Sequence, residues 1–336
     1  MSVQLRIPVT EQSQPAAARR AAEILAQEGR LDETAIGRVA LIVMELATNL
    51  VKHAACGELL VRRLGADSAD GDGVEILSLD KGPGIPDLAQ ALGDGYSTAG
   101  SAGTGLGAVV RAAGEFDIYS RRGSGTAVVA RLFARWRDSV APRAQKVGVV
   151  RQAKEGEELC GDDWTVRWFA DGWLCAVADG LGHGLVAAEA AGSIMQAVRA
   201  AQDHSTPVQL VEAAHVAATP TRGAAFGVAV READTVRFAG IGNIAAVVVN
   251  GGQARHLVSH NGILGHEYRK LAEFTHRWSK DSILVMHSDG IATHWNLDHY
   301  PGLLSRDPSL IAGVLYRDFA RGRDDATVVV VKEHSE

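Results

Sequence analysis

Two polar side chains interrupt the apolar helical segment LIVMELATNLVKHA in the first third of the chain. Glu45 and Asn49 are four residues apart and therefore share one helix face, which Lys52 and His53 extend by about one turn. A carboxylate and an amide are costly to bury in an apolar core. This face is therefore either solvated or part of a functional site, and for the helix alone solvation is the simpler interpretation. Lys52 is equally well explained as a phosphate contact and as an exposed lysine.

Glycine-rich turns follow this helix at three points along the chain. Asp80 ends a predicted strand and leads into Gly82 and Gly84. The segment GDGYSTAGSAGTGLG at 93–107 precedes a predicted helix, and GSGT at 123–126 opens a predicted strand. Glycine lets the backbone approach a phosphate closely, and a helix N-terminus offers an anion amide donors and a favourable dipole. One such motif alone is weak evidence for a phosphate site, whereas the ordered set is stronger evidence.

The second half of the chain places aspartates at the ends of predicted strands. They occur in four short motifs: GDD at 161–163, DGLGHG at 179–184, SDG at 288–290 and DDAT at 324–327. A turn explains any one of these aspartates, but their number indicates converging carboxylates. Such hard oxygen ligands suit Mg²⁺ or Mn²⁺ and not Zn²⁺. Four nearby histidines lack metal-ligand spacing and are interpreted as ordinary loop and strand residues: His260, His266, His287 and His294.

Apolar periodicity and turn residues predict the elements that position these groups. In the first half they predict strands at 6–9, 59–63, 74–79, 116–120 and 126–133, and helices at 15–28 and 33–54. This order favours an α/β sandwich with helices on one face of a mixed sheet. In the second half strands dominate, with helices near 187–202, 207–217 and 308–320, which favours a two-sheet core flanked by helices. The predicted domains are 1–135 and 146–336, joined by a charged linker at 136–145.

Length and composition favour two packed domains. The chain has 336 residues, of which 46% are hydrophobic and 22% charged, and a domain averages about 150 residues. Lys and Arg number 34 against 40 Asp and Glu, a net charge of −6, so binding to nucleic acid is not expected. The cysteines lack metal-ligand spacing, and neither a signal core nor a membrane-length apolar run is evident. We therefore expect a cytoplasmic protein with reduced thiols and no membrane association.

The ordered motifs of the first half resemble those of a known superfamily. E-x3-N at 45–49, D-x-G-x-G at 80–84, GTGLGA at 103–108 and G-x-GT at 123–126 resemble the N, G1, G2 and G3 boxes of the GHKL ATPases and kinases. The stretch at 94–126 further resembles the RsbT-type serine kinases of bacterial partner-switching pathways. The resemblance covers about residues 1–135. It implies a GHKL (Bergerat) α/β sandwich that binds ATP and Mg²⁺.

That resemblance implies a role for each matching position. Glu45 would be the general base for a substrate hydroxyl, Asn49 would hold Mg²⁺, and Asp80 would accept from the adenine amino group. The remaining ATP contacts would be Lys52, Gly82, Gly84, Gly103, Thr104, Gly105, Leu106, Gly107 and Thr126, with residues 93–104 as a lid. About 30 residues precede the long helix and none of them is histidine. We therefore expect the phosphoacceptor to lie in another protein.

The aspartate motifs of the second half resemble those of the PPM (type 2C, SpoIIE-like) metal-dependent serine/threonine phosphatases, and DGLGHG resembles the RsbX-type enzymes. The resemblance covers about residues 146–333 and implies an α-β-β-α sandwich with two central antiparallel sheets. It also implies two Mn²⁺ or Mg²⁺ ions, held by Asp162, Asp179, Gly180 through its carbonyl, Asp289 and Asp324. His183 would either donate a proton to the leaving oxygen or cap the following helix. Asp163, Asp325 and Arg151 are neighbours without an assigned role.

Together the two resemblances predict a bifunctional regulator that phosphorylates and dephosphorylates a STAS-domain protein of the RsbS, RsbR or anti-anti-sigma kind. A component of a sigma-factor pathway is a further expected partner. One alternative is an ATP-binding, anti-sigma-like switch that sequesters its partner while only the phosphatase turns over. Another is a degenerate phosphatase that serves as a docking platform. Glu45 argues against the first alternative, and the complete set of aspartates argues against the second.

Overall fold

The computed structural model describes residues 4–54, 56–65, 72–93, 105–134 and 145–333. The chain divides into two compact units. The first unit contains Met1–Ala141 and Gly302–Arg317, and the second contains Pro142–Pro301 and Asp318–Glu336. The division after Ala141 falls within the predicted linker, whose residues 136–144 lie outside the described residues. The predicted domains are continuous in sequence, whereas the structure adds Gly302–Arg317 to the first unit.

The first unit contains a five-stranded sheet in which all neighbouring strands are antiparallel. In spatial order its strands are β1 (Gln4–Val9), β2 (Gly57–Leu64), β3 (Gly73–Asp80), β5 (Thr126–Phe133) and β4 (Glu115–Ser120). The prediction of a mixed sheet is therefore wrong. Two parallel neighbouring strands are usually joined by one helix that crosses over the sheet. Here two helices connect β1 to β2, and β2 runs antiparallel to β1.

The helices that lie wholly in this unit are α1 (Gln14–Glu28), α2 (Glu33–Asn49), α3 (Leu88–Leu92) and α4 (Gly105–Ala112). Asp32 caps α2, because its carboxylate accepts a hydrogen bond from Ala35 N at 2.7 Å. Apolar residues of α2 at steps of three and four are buried in the core: Val39, Ile42, Val43, Leu46 and Ala47. The predicted helix at 33–54 is confirmed, although its last turn, Leu50–Ala54, is π-helical.

By length and hydropathy this helical stretch, Glu33–Ala54, could cross a membrane, and it is the one such helix in the described part of the chain. Its most apolar face contacts the buried core of the first unit. A core helix meets the same criteria of length and hydropathy as a membrane span. The structure therefore explains the apolar character of α2 through packing within the unit.

The second unit contains two five-stranded antiparallel sheets. In spatial order one consists of β13 (Phe274–Arg277), β10 (Thr235–Ile241), β9 (Ala224–Glu232), β8 (Gly172–Gly180) and β7 (Asp162–Phe169). The other consists of β12 (Gln253–Leu257), β11 (Ala245–Asn250), β14 (Ile283–His287), β15 (Ala326–Glu333) and β6 (Gln145–Gln152). The prediction of two antiparallel sheets is confirmed.

Large side chains from both sheets fill the layer between them, among them Trp164, Trp173, Phe238, Leu284 and Val329. Helices α5 (Leu185–Ala200) and α6 (Pro207–Ala218) pack on the opposite face of the sheet that contains β8 and β9. The remaining helix, α7 (Pro308–Phe319), lies between β14 and β15 in the sequence, and as far as Arg317 it belongs to the first unit. Strands β8 and β14 thus end at the aspartate motifs, which the sheets hold at defined positions.

Candidate nucleotide and metal sites

The first unit contains a cavity of about 330 Å³ between α2, α4 and the strands β3 and β5. Most of the predicted ATP contacts line this cavity: Glu45, Asn49, Lys52, Asp80, Gly84, Gly105, Leu106 and Thr126. Gly82 and Gly107 are not part of the lining. The Gly82 amide donates a hydrogen bond to the Asp80 carboxylate, and Gly107 is buried within α4. Gly103, Thr104 and the rest of the predicted lid at 94–104 lie outside the described residues. The cavity has the size of a small-molecule site.

Backbone amides fix Asp80 at the end of β3. Its Oδ1 accepts hydrogen bonds from Gly82 N at 2.7 Å and from Thr126 N at 3.2 Å. Burial raises the pKa of this carboxyl, while the two amides and the Arg317 guanidinium favour its charged form. Both contacts use Oδ1, so Oδ2 is the oxygen that can accept from an amino group in the cavity. The Thr126 hydroxyl lies 2.8 Å from Ser120 Oγ, a contact that no sequence motif indicated.

The main chain around Asp80 is packed so closely that two glycines are required. Gly125 has a φ of +81°, and a Cβ at this position would lie 2.0 Å from the Asp80 carbonyl oxygen. Gly84 has a φ of +71°, and a Cβ there would lie 2.2 Å from the Arg121 carbonyl oxygen. Residues with side chains rarely adopt such φ values. These glycines are therefore needed for packing, in addition to any close approach by a ligand.

We expect Gly125→Ala to lower both the stability of the first unit and its affinity for ATP, because the new Cβ would displace the main chain at Asp80. Gly123→Ala is the matched control, since Gly123 has a φ of +75° with nothing within 4 Å of its Cβ position. The control is expected to cost only about 1 kcal/mol of backbone strain. Thermal unfolding and ATP titration of the two variants measure the difference. Equal losses in both would contradict this account.

The α2 side of the cavity carries the polar groups of the first motif. Glu45 and Asn49 are half-buried and line the cavity from one helix face. The π-helical turn that follows places Lys52 and His53 in the same lining, and such turns are frequent at functional sites. The wall thus combines a carboxylate, an amide, an ammonium and an imidazole. These groups can orient a polyphosphate and accept a proton from a hydroxyl.

In the second unit, carboxylates from separate chain segments gather at one end of the strands. Asp162 and Asp179 lie directly opposite each other on β7 and β8. Asp289 follows β14, and Asp324 precedes β15. Burial, followed by repulsion from the other three carboxylates, raises the pKa of Asp179 to about 9. We call these four residues the acidic edge.

Some carboxylate oxygens at this place are buried without a donor. Asp162 Oδ2 accepts from Ser288 Oγ at 2.6 Å, whereas its Oδ1 is buried with no hydrogen bond of normal geometry. Burial raises the pKa of Asp162 to about 7. Asp163 Oδ2 is paired with Arg199 Nη2 at 3.7 Å. Asp325 Oδ1 accepts from Lys154 N at 2.9 Å, and its Oδ2 is buried with no hydrogen bond of normal geometry. Because such oxygens are costly to bury, a cation would be their natural partner.

The donor chemistry of the acidic edge therefore fits Mg²⁺ or Mn²⁺. The side chains are not arranged as a closed ligand shell, however, since no three Asp, Glu, His or Cys residues among those described have metal-binding geometry. Asp289 Oδ2 instead accepts from Asn243 Nδ2 at 2.7 Å, a neighbour that the motifs did not indicate. Gly180 is buried at the end of β8, where a Cβ would lie 2.1 Å from the Ala187 carbonyl oxygen.

Two basic side chains of the second unit, His183 and Arg151, contact other residues of the same unit. His183 Nδ1 lies 2.6 Å from Glu157 Oε1. The N-cap of α5 is Gly184, with no side-chain cap, so the structure does not show His183 capping this helix. Arg151 Nε donates to the main-chain oxygen of Asp162 at 2.7 Å. Arg151 therefore positions the start of β7.

His287 lies between Ser288 and Trp295 in the structure. It is buried, its Nδ1 lies 2.8 Å from the Ser288 carbonyl oxygen, and Trp295 Nε1 donates to its Nε2 at 3.1 Å. Burial lowers the pKa of this imidazole. Both ring nitrogens are thus occupied, and the neutral ring fixes the main chain immediately before Asp289.

Comparison with known proteins assigns each part of the chain to a family. Residues 7–132 match the family model of the histidine kinase-like ATPase domain, and residues 170–334 match that of stage II sporulation protein E (SpoIIE). The chain is 36% identical over 117 residues to the serine/threonine-protein kinase RsbT of Bacillus subtilis (strain 168), which covers 34% of this chain and 84% of RsbT. It is 27% identical over 143 residues to the phosphoserine phosphatase RsbX of the same strain, which covers 41% of this chain and 70% of RsbX.

The chain belongs to the RsbT family. Its RsbT-type domain is fused, within the same chain, to a SpoIIE-type PPM domain. The cavity with Glu45, Asn49 and Asp80 lies in the RsbT-type part. Asp179, Asp289 and Asp324 of the acidic edge lie in the region matched by the SpoIIE family.

Solved structures that resemble this chain include the following two. One comes from work on the bacterial stressosome as a modular system that has been adapted to control secondary messenger signaling. It has a TM-score of 0.52 and 26% sequence identity, and the match covers 56% of this chain and 99% of that chain. The other is RsbX in complex with magnesium, with a TM-score of 0.51 and 22% identity, covering 58% of this chain and 98% of that chain. The predicted fold class, a GHKL-type α/β domain followed by a PPM-type sandwich, is confirmed.

Proposed function

We propose that this chain both phosphorylates and dephosphorylates a serine or threonine of a regulatory partner protein. Its relatives RsbT and RsbX point to partner-switching regulation. The observation that carries the proposal is that one chain combines a cavity lined by Glu45, Asn49 and Asp80 with the four carboxylates of the acidic edge, three of which repel the fourth, Asp179. The first arrangement suits phosphoryl transfer from ATP, and the second suits metal-assisted hydrolysis of a phosphoester.

In the kinase half, each residue would act through its place in the cavity. Asp80 Oδ2 would accept from the adenine amino group, while Asn49 would hold Mg²⁺ and Lys52 would contact phosphate oxygens. Bound Mg²⁺ supplies charge neutralisation on the phosphates. Glu45 would accept the proton of the substrate hydroxyl as it attacks the transferred phosphoryl group. Gly105 and Leu106 would offer the amides of the first turn of α4 to the phosphates.

In the phosphatase half, Asp162, Asp179, Asp289 and Asp324 would hold two Mn²⁺ or Mg²⁺ ions, with the Gly180 carbonyl as a further ligand. Such ions supply an activated water and neutralise the phosphoryl oxygens. Ser288 and Asn243 would orient the carboxylates of Asp162 and Asp289 by hydrogen bonds. His183, held by Glu157, would donate a proton to the departing serine oxygen.

The proposed partner is a STAS-domain protein in the cytoplasm. The support is the match to RsbT and the likeness to a chain from the stressosome. A component of a sigma-factor pathway is a further proposed partner. Simultaneous activity of both sites would hydrolyse ATP without net change, so a partner or signal is expected to favour one site at a time.

Purified protein, labelled ATP and a candidate STAS protein provide the test. Label transfer with Mg²⁺ measures the kinase, and label release with Mn²⁺ after removal of ATP measures the phosphatase. The full chain is required, because Gly302–Arg317 is part of the first unit. The absence of both label transfer and label release would contradict the proposal. ATP binding without transfer, accompanied by normal release, would instead support the sequestering switch.

A further inference from the structure

Helix α7 is buried around its whole circumference. Every residue from Pro308 to Tyr316 is buried, which is the pattern of a helix enclosed by protein on all sides. Within the first unit α7 lies against β3, since a Cβ on Gly313 would be 2.9 Å from the side chains of both Leu77 and Leu79. Strand β3 ends at the proposed adenine contact. Helix α7 therefore packs against the strand that positions this contact.

A buried network of charges holds the start of α7 to the sheet of the first unit. Asp307 accepts two hydrogen bonds from the guanidinium of Arg131, at 2.8 and 2.7 Å. Arg131 Nε also donates to Glu75 at 2.8 Å, and Arg62 Nε donates to the same carboxylate at 2.6 Å. Ser309 Oγ donates to Glu75 at 2.8 Å. Two groups from the segment before and within α7 thus complete a network whose other members lie on β2, β3, β5 and, through Glu115, which accepts from Arg131 at 2.9 Å, on β4.

The charges in this network require one another. Burial opposes the charged form of Glu75, but Arg62 and Arg131 outweigh it and lower the pKa of this carboxyl. Burial also opposes the charged form of Arg131, and Asp307 followed by Glu75 raises its pKa. Loss of one partner from a buried ion pair is strongly destabilising. The sheet is therefore suited to hold the segment 302–317 permanently, not to release it.

The other end of α7 contacts the residue that anchors the nucleotide cavity. Arg317 Nη1 donates to the main-chain oxygen of Asp80 at 2.9 Å. This is the oxygen that a Cβ on Gly125 would approach to 2.0 Å, so the main chain at this point has little room to move. Arg317 is not part of the cavity lining. Its influence on a bound nucleotide would therefore pass through Asp80.

The chain continues from Arg317 directly into the second unit. Arg321 N donates to the Gly290 main-chain oxygen at 2.8 Å, and Gly290 is the residue after Asp289 of the acidic edge. The helical turn at Arg317 is thus joined by a few residues of chain to the end of β14.

We propose that Arg317 is a positioning residue of the ATP site, supplied by the region that matches the SpoIIE family. Its hydrogen bond holds the main chain at Asp80 in the conformation that binds the nucleotide. ATP affinity therefore depends on α7, and by thermodynamic reciprocity ATP stabilises α7 and the residues that follow it. The inference rests on the proposed function, because it takes Asp80 as a nucleotide contact.

Arg317→Gln in the full chain tests this role. We expect the Kd for ATP–Mg²⁺, measured by calorimetry, to rise about tenfold, as for the loss of one charged hydrogen bond. Arg317→Lys keeps the charge and a donor, and it is expected to recover most of the affinity. Arg20→Gln is the control, since Arg20 is an exposed arginine on α1 of the same unit, and its affinity should equal that of the wild type.

Amide hydrogen exchange provides a readout that a purely structural role would not move. In the wild type, ATP–Mg²⁺ is expected to slow exchange from 309 to 321, and Arg317→Gln should lose this slowing while its nucleotide-free exchange is unchanged. Wild-type ATP affinity in Arg317→Gln, or slowing that persists in it, would overturn the inference. If this variant does not fold, the wild type carries the test, because ATP–Mg²⁺ binding without slower exchange at 309–321 would also overturn the inference. A wild-type chain that binds no ATP would instead overturn the proposed function.

Discussion

Asp179→Asn is expected to slow Mn²⁺-dependent phosphate release from a phosphorylated partner by about a thousandfold or more. Asp179 lies opposite Asp162, and burial together with the neighbouring carboxylates raises its pKa to about 9. An amide of the same shape cannot lose a proton, so it would not supply the negative charge that bound cations would need. Bound metal ions contribute several kcal/mol to such reactions, and about 1.4 kcal/mol corresponds to a tenfold change in rate. Release of labelled phosphate in single-turnover experiments measures the effect.

Asp171→Asn is the matched control, because Asp171 is an exposed aspartate in the turn at the opposite end of β7 and β8. It should release phosphate at the wild-type rate. Calorimetry with Mn²⁺ should show weaker binding for Asp179→Asn alone, and label transfer from ATP should be normal in both variants. Full Mn²⁺-dependent release by Asp179→Asn would show that the acidic edge is not the hydrolytic site.

Elements that depend on the local order of apolar and polar residues can be predicted from the sequence. The apolar periodicity of 33–54 predicts α2 and therefore places Glu45 and Asn49 on one face, and both line the same cavity. The aspartates are also predicted at strand ends, because continuous apolar runs define where β8 and β14 stop. Assignment of metal or nucleotide to these places required the family resemblance.

Two of the edge strands are not predicted from the sequence. Gln253–Leu257 forms β12 and Phe274–Arg277 forms β13, and both lie at the edge of a sheet. Four of the five residues of β12 are exposed, so its sequence lacks the apolar alternation that indicates a strand. These strands form because a neighbour offers unpaired backbone groups, and a sequence pattern does not contain that information.

The packing of α7 was unpredictable for a different reason. Its apolar residues predict burial, but the pattern does not state which sheet the helix packs against. The charges that fix its partner are far apart in sequence: Glu75 and Arg131 lie on strands, and Asp307 precedes the helix. Charged residues inside strands normally indicate solvent exposure. Only the folded chain shows that they neutralise one another.

Glu45→Gln is expected to lower the rate of phosphoryl transfer to the partner by about 10²- to 10⁴-fold, the usual contribution of a general base. Glutamine keeps the size of the side chain and removes its basicity. Because Glu45 lies on the α2 wall of the cavity while Asp80 binds from the end of β3, ATP affinity should remain close to that of the wild type. Single-turnover transfer of label from bound ATP measures the rate, and calorimetry measures the affinity.

Glu33→Gln provides the control, because Glu33 is an exposed glutamate on the first turn of the same helix. Its transfer rate should equal that of the wild type. A joint fall of rate and affinity in Glu45→Gln would place Glu45 among the binding groups and not the base. An unchanged rate would remove the reason for assigning a base to α2. The N-terminal unit would then act by holding ATP and a partner, and the acidic edge of the second unit would be the remaining candidate for a catalytic centre.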